Sequence, residues 1–186
     1  VAALVAAFVE GARAGGVLTT AKHFPGHGDT AVDSHLALPI VRRDRAGLDR
    51  TELAPFRAAI AAGVDAIMVG HLALPALDAS QAPATLSPAI TTGLLRDELG
   101  FAGLVVTDAM DMQGLSKLYP AGESAVRALE AGADLLLIPT NPAESVKAIV
   151  AAVKSGRLTQ KRIDESVLKI LSAKVRVGLN KPHQVE

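Results

Sequence analysis

The sequence has no cysteine and no tryptophan, and it contains only four phenylalanines and one tyrosine. Without cysteine there can be no disulfide, no thiolate zinc site and no cysteine nucleophile. The scarcity of aromatic rings argues against a flat ring-stacking platform of the lectin type. No apolar run reaches the roughly 18 residues that a membrane-spanning helix requires. We therefore expect no membrane partner.

The charge of the chain is balanced, because 19 lysines and arginines are matched by 19 aspartates and glutamates. Nucleic-acid-binding domains usually carry a basic excess, so we expect no nucleic-acid partner. The length of 186 residues fits one domain at roughly 100–200 residues per domain. No low-complexity linker interrupts it, and we predict no internal domain boundary within residues 1–186.

The first segment, Val1–Ala14, has apolar residues at helical spacing but no basic region and no small-residue cleavage site. It is therefore interpreted as a helix entered midway rather than as a signal peptide. We expect the sequence to be a piece of a longer polypeptide, and its cellular location stays open.

Short apolar runs without alternation are typical of strands buried on both faces of a parallel sheet. The sequence has four of them: Val17–His23, Ala66–Leu72, Leu104–Asp108 and Leu135–Pro139. Segments with helical periodicity lie between and after them: Asp49–Ala62, Ser87–Leu99, Glu123–Ala131, 142 to about 155, and 160 to about 177. Ser87 and Asn141, each followed by proline, are predicted N-caps. The alternation predicts an α/β fold with right-handed βαβ units.

Two stretches of the sequence are near-copies of each other, at residues 62–69 and 131–138. Each has a glycine at the end of a predicted helix and an aspartate at the start of a predicted strand. Such an echo is expected when similar βα units repeat around a barrel.

Polar residues concentrate just after the predicted strands. Four of the five histidines are found there: His23, His27, His35 and His71. Asp108 follows the third strand directly. The carboxyl ends of parallel barrel strands share one face, where active sites are built. The sequence thus predicts an active site at that face.

Single residues in this group have more than one interpretation. Asp108 can be a nucleophile, a metal ligand or a cap on the following turn, whereas Asp111 is better interpreted as a helix cap. Asp33 and His35 can form a pair in which the carboxylate orients the imidazole for acid/base work near neutral pH. Taken alone, that D-x-H pattern more often makes only local turn bonds.

The neighbouring loop residues are equally ambiguous. Lys22 and His23 can bind substrate hydroxyl groups, or Lys22 can pair with a strand-end acid. Gly26 and Gly28 are interpreted as residues that shape the backbone. His27 can point into the site, but a role in fastening the loop is favoured.

Taken whole, the string KHFPGHGDTAVDSHLALP (22–39) resembles the acid/base loop of glycoside hydrolase family 3, in its β-N-acetylglucosaminidase branch. GLVVTDAMDM (103–112) is similar to the nucleophile segment of that branch, and ATLSPAITTGLLRDELGFAG (84–103) resembles the helix before it. The two motifs stand in the family's order, and the resemblance covers nearly the whole chain.

The resemblance implies a partial (β/α)8 barrel of TIM type, with about four βα units that correspond to strands five to eight. It implies a retaining exo-β-N-acetylglucosaminidase acting on oligosaccharides or peptidoglycan fragments, with no cofactor and no metal. Asp108 would be the nucleophile, His35 the general acid/base and Asp33 its dyad partner. Lys22 and His23 would bind the sugar beside the scissile bond, and Asp111 would have no catalytic role.

Two other hypotheses use the same residues. A metal-dependent barrel hydrolase could draw its ligands from His23, His27, His35, His71, Asp33 and Asp108, although the tight H-x-H pair usual in such sites is missing. The chain could also be a non-catalytic barrel fragment. Since a complete barrel takes about 250 residues, we expect the isolated chain to be inactive or to self-associate. Its missing partner would be the N-terminal half of the barrel. The natural substrate and the choice between hydrolysis and phosphorolysis stay open.

Overall fold

Three parallel strands lie side by side in sequence order at the centre of the fold. The computed structural model describes residues 1–28, 30 and 33–181. The strands are β1 (Thr20–Phe24), β2 (Ala66–Val69) and β3 (Leu104–Thr107). They start and end within a few residues of the apolar runs, and the α/β fold predicted from the sequence is confirmed.

Helices precede, connect and follow the strands. In chain order they are α1 (Ala2–Ala14), α2 (Arg45–Arg50), α3 (Leu53–Ala61), α4 (Gln113–Ser116), α5 (Ala121–Ala131), α6 (Pro142–Lys154) and α7 (Gln160–Arg176). A 3-10 turn (Ala84–Leu86) and a π-helix (Ala89–Glu98) lie between β2 and β3. Within the described part of the chain, no helix combines the length and apolar character needed to cross a membrane.

The strand register is regular between β2 and β3, where Ala66 pairs with Leu104 and Val69 with Thr107. Between β1 and β2 the register shifts after Ala21, so that Phe24 pairs with Val69. Phe24 is fully buried, and its ring meets that of Phe56 on α3 edge to face, with centroids 5.2 Å apart. The shift therefore occurs at the end of β1 that leads into the predicted acid/base loop.

The predicted fourth strand, Leu135–Pro139, is not formed as a strand. It is reduced to one parallel bridge, between Leu135 and Val106. Two residues later the Leu137 amide donates to the side-chain hydroxyl of Thr107, 2.9 Å away, instead of to a backbone carbonyl. Ile138 then has φ +44°, a left-handed conformation that turns the chain out of the extended form.

The predicted helix Asp49–Ala62 is two helices, α2 and α3. Asp44 caps α2 by accepting from the Gly47 amide at 2.8 Å, so the helical segment begins earlier than expected. Pro55 lies in the first turn of α3, where its missing N–H costs nothing. In one continuous helix the same proline would remove an interior hydrogen bond, which explains the break between the two helices.

Side-chain caps begin several helices where the sequence predicts them. Asn141 accepts from the Glu144 amide at 3.1 Å, and Thr159 accepts from the Arg162 amide at 3.1 Å. The Ser87 hydroxyl accepts from the Ile90 amide at 3.3 Å, but the N-cap of that helix is Pro88 and not the predicted Ser87. The helix after Ser87 differs from the expected α-helix because it is wound as a π-helix.

The two near-copies in the sequence, residues 62–69 and 131–138, play the same structural role. Gly63 and Gly132 both end helices with positive φ, at 81° and 117°. Asp65 is buried and accepts from the Thr19 amide at 2.7 Å, while Asp134 accepts from the Val105 amide at 3.0 Å. Each aspartate thus ties the start of its own strand segment to the chain preceding it in the sheet.

Candidate active site

Asp108 stands at the carboxyl end of β3, and its position is set by the backbone. Its amide donates to the Val69 carbonyl at 2.9 Å, which extends the pairing of β2 with β3 by one residue. The residue is only 8% exposed. Oδ1 accepts from the Ala109 amide at 2.9 Å. Oδ2 lies 3.7 Å from Nε2 of His23, so one oxygen is held by the turn and the other faces the end of β1.

His23 is half-buried beside that carboxylate. Burial is the main cause that lowers the pKa of His23, and Asp108 opposes it. The nearby basic side chains of Lys22, His27 and His35 lower the pKa of His23 further. These effects place the end of β1, the predicted acid/base loop and Asp108 within one electrostatic neighbourhood.

Lys22 precedes His23 in β1 and is exposed. Both side chains line an open cavity of about 540 Å³ that runs along β1. Apolar residues of α1, including Leu4 and Phe8, form its other wall. The two predicted sugar-binding residues thus share one open space.

Asp33 and His35 are brought together by the structure. The imidazole Nδ1 of His35 lies 2.7 Å from Oδ1 of Asp33, and the His35 amide donates to the same oxygen at 2.9 Å. The side chains are 60% and 71% exposed. The hydrogen bond from the His35 backbone amide is the main cause that lowers the pKa of Asp33, followed by the hydrogen bond from the His35 imidazole. Asp33 therefore makes both the local turn hydrogen bond, to the His35 amide, and the side-chain pair with the His35 imidazole.

His27 fastens the loop, as favoured from the sequence. Its Nε2 lies 3.1 Å from Oγ of Ser34, and its Nδ1 lies 3.0 Å from Oγ1 of Thr30. Asp29, Ala31 and Val32 of the same motif lie outside the described residues. Because both ring nitrogens are engaged, His27 braces the segment that carries Asp33 and His35.

The loop also rests on the chain that follows Asp108. The Gly114 amide donates to the Ser34 carbonyl at 3.1 Å, and the Gln113 amide donates to the His35 carbonyl at 3.4 Å. These are free first-turn amides of the short helix α4. A Cβ on Gly114 would lie 2.7 Å from the Ser34 oxygen, so the contact needs glycine. This contact was not predicted from the sequence, where its one available sign is a glycine in the first turn of a helix.

Two further expectations concern Asp111 and a metal. The N-cap of α4 is Met112, so the prediction that Asp111 caps this helix is wrong.

Among residues 1–28, 30 and 33–181, no three histidine or acidic side chains are grouped as a metal site would require. His71 has its ring nitrogens on Thr85 and on the Ala109 carbonyl. The geometry therefore gives the metal hypothesis no support.

Comparison with known proteins gives consistent matches. A family model described as glycosyl hydrolase family 3 N terminal domain matches residues 1–173. A β-N-acetylglucosaminidase/β-glucosidase of Cellulomonas fimi is 37% identical over 190 residues, covering 97% of this chain and 34% of that protein.

Solved structures agree. A family 3 β-N-acetylglucosaminidase from Paenibacillus sp. str. FPU-7 superimposes with a TM-score of 0.92 at 49% identity, covering 97% of this chain and 35% of that one. The β-glucoside phosphorylase BglX superimposes with a TM-score of 0.90 at 32% identity, covering 96% and 34%. The chain thus spans about a third of the length of these proteins.

Proposed function

Since the chain belongs to glycoside hydrolase family 3, we propose that it carries the catalytic residues of a retaining exo-β-N-acetylglucosaminidase. The substrates would be oligosaccharides or peptidoglycan fragments that end in β-linked N-acetylhexosamine. The names of the relatives from Cellulomonas fimi and Paenibacillus support the activity. The observation that carries the proposal is the Asp33–His35 pair, whose loop is hydrogen-bonded to the segment following Asp108.

We also propose that residues 1–186 are the C-terminal part of a barrel domain, with the strand segments equivalent to strands five to eight. A whole barrel takes about 250 residues. The β1 side of the sheet has the open cavity beside it, and Leu4 and Phe8 on α1 are exposed there, as is Val1 just before the helix. A preceding segment of the polypeptide would cover these side chains and complete the site.

The first step of the proposed reaction is attack on the anomeric carbon. Asp108 is the nucleophile, and protonated His35 donates its proton to the leaving-group oxygen. Asp33 already occupies Nδ1 of His35, so Nε2 is the nitrogen that exchanges the proton. The bond to the leaving group breaks as the ester bond between the sugar and Asp108 forms.

The second step releases the sugar. Neutral His35 takes a proton from water through Nε2, and the water oxygen attacks the anomeric carbon while the ester bond to Asp108 breaks. Two inversions at that carbon leave its configuration unchanged. Asp33 is ionised at neutral pH, as its lowered pKa requires, and its carboxylate stabilises the imidazolium form of His35. Lys22 and His23 bind hydroxyl groups of the same sugar.

The test of this function uses the full-length protein that contains the chain. Asp108→Ala should abolish release of nitrophenol from nitrophenyl β-N-acetylglucosaminide. His35→Ala should slow substrates with poor leaving groups far more than activated aryl glycosides, because only the former need a proton donor. Substantial turnover by Asp108→Ala would show that the nucleophile is misassigned.

The barrel proposal has its own test. The isolated 186-residue chain should be inactive or should self-associate, while the full-length protein is a working enzyme. Activity and sedimentation of the two proteins, measured side by side, decide this. Full activity of the isolated chain would contradict the proposal.

Phosphorolysis is a second candidate, favoured by the structural match to a β-glucoside phosphorylase. A neutral imidazole repels an incoming anion less than a carboxylate would, so phosphate can replace water in the second step. Hydrolysis predicts free N-acetylglucosamine at all phosphate concentrations. Phosphorolysis predicts that a sugar 1-phosphate becomes the main product as phosphate is added.

A further inference from the structure

His71 is a fully buried imidazole between the end of β2 and the segment that carries Asp108. Both of its ring nitrogens have polar partners. Nδ1 lies 2.6 Å from Oγ1 of Thr85, and Nε2 lies 3.0 Å from the carbonyl oxygen of Ala109. Such partners are what a buried polar ring requires. The reaction proposed above assigns His71 no role.

The partners fix which nitrogen of His71 carries the proton. A carbonyl oxygen can only accept, so Nε2 must donate to Ala109. Burial is the main cause that lowers the pKa of His71, which keeps the ring neutral and leaves Nδ1 without a proton. The Thr85 hydroxyl has one proton and two acceptors in reach, Nδ1 of His71 and the Gly70 carbonyl at 3.1 Å. The shorter contact is the one to Nδ1.

Ala109 is the link between this ring and Asp108. Its carbonyl accepts from His71, and its amide donates to Oδ1 of Asp108. The Ala109 amide therefore orients the Asp108 carboxylate, and the buried ring of His71 holds Ala109. The other carboxylate oxygen faces His23.

We propose that His71, whose Nε2–H donates to the Ala109 carbonyl while Nδ1 contacts the Thr85 hydroxyl, is a positioning residue for the nucleophile. It fixes Ala109, so that the Ala109 amide binds one oxygen of Asp108 and leaves the other free to attack. This inference rests on the proposed function, because it takes Asp108 as the nucleophile. Misplacing a reacting group by about 1 Å can cost about 100-fold in rate.

The test compares His71→Gln with His71→Leu in the full-length protein. Glutamine can donate from near the position of Nε2, whereas leucine fills similar space and cannot donate. We expect His71→Leu to lower kcat about 10- to 100-fold with KM changed less than about threefold, and His71→Gln to keep most of the activity. Equal kcat values for the two variants would overturn the inference. An inactive wild-type protein would instead overturn the proposed function.

A second pair keeps the test decisive should His71→Leu fail to fold. Thr85→Val removes the hydroxyl at nearly unchanged volume, and Thr85→Ser retains it. Thr85→Val should lower kcat several-fold, and Thr85→Ser should match the wild type. Nitrogen-15 NMR of the His71 ring should find the proton on Nε2. A ring protonated on Nδ1 alone, or equal kcat for Thr85→Val and Thr85→Ser, would contradict the proposed positioning.

Discussion

Alanine at position 114 would insert a methyl group where the backbone of the loop carrying Asp33 and His35 now lies. The added Cβ would sit 2.7 Å from the Ser34 carbonyl oxygen and 2.9 Å from that of Ala37, where ordinary contact begins at 3.4 Å. Both neighbours are backbone atoms, so neither can rotate away. The loop must move back by at least about half an ångström. Such a shift matters because displacing a reacting group by about 1 Å can lower the rate about 100-fold.

The shift should act on the acid/base and leave the nucleophile in place. Asp108 is held by β2 through Val69 and by the Ala109 amide, and neither contact involves the loop. We expect Gly114→Ala in the full-length enzyme to slow hydrolysis of a chitin disaccharide by about 10-fold or more, because its leaving group needs the proton. Cleavage of a dinitrophenyl glycoside should change little.

Gly28→Ala is the matched control for this experiment. Gly28 belongs to the same loop, and a Cβ there would meet no atom of the described residues within 4 Å. The control should cleave both substrates at the wild-type rate. Equal rates for Gly114→Ala and Gly28→Ala on the disaccharide would refute the idea that this contact places the acid/base.

Three further outcomes follow. Asp134→Asn leaves Arg96, 2.6 Å from a fully buried carboxylate, without its counter-ion. It should cost about 3 kcal/mol, a fall in Tm of about 6–12 °C, while the exposed-site control Asp164→Asn should not move Tm. Hydrogen bonds from Arg157 and then Arg127 lower the pKa of Glu123 from 4.5 to about 2, so the stabilising effect of ionised Glu123 should be lost as pH falls from about 4.5 to about 2. Urea unfolding across that window should show the loss, and Glu123→Gln should lack it. EDTA should leave hydrolysis unchanged, and activity lost to EDTA and restored by zinc would contradict this.

The strands were predictable because a buried parallel strand has an unbroken apolar run, as in Ala66–Val69 and Leu104–Thr107. The same rule failed at Leu135–Pro139. There a threonine side chain on the neighbouring strand takes the hydrogen bond of the Leu137 amide. The pattern of apolar residues predicts neither this side-chain hydrogen bond nor the positive φ of Ile138.

That certain polar side chains lie near one another was predictable from the sequence, whereas the backbone contacts that hold them in place were not. Parallel topology alone brings the ends of β1 and β3 to one face, and the structure places His23 beside Asp108 there. The contact of Gly114 with Ser34 joins backbone groups far apart in the chain, so side-chain identity gives little sign of it. The link from His71 to Ala109 is also made to a backbone carbonyl, which any residue would supply.

Identification of the residue that becomes covalently bound to sugar tests the central claim most directly. The full-length enzyme would be incubated with a 2-fluoro glycosyl fluoride, which slows the second step more than the first, and its peptides would be sequenced by mass spectrometry. We predict one added sugar, on Asp108. A label on Asp111 or Asp33, or continued turnover with no labelled carboxylate, would contradict it.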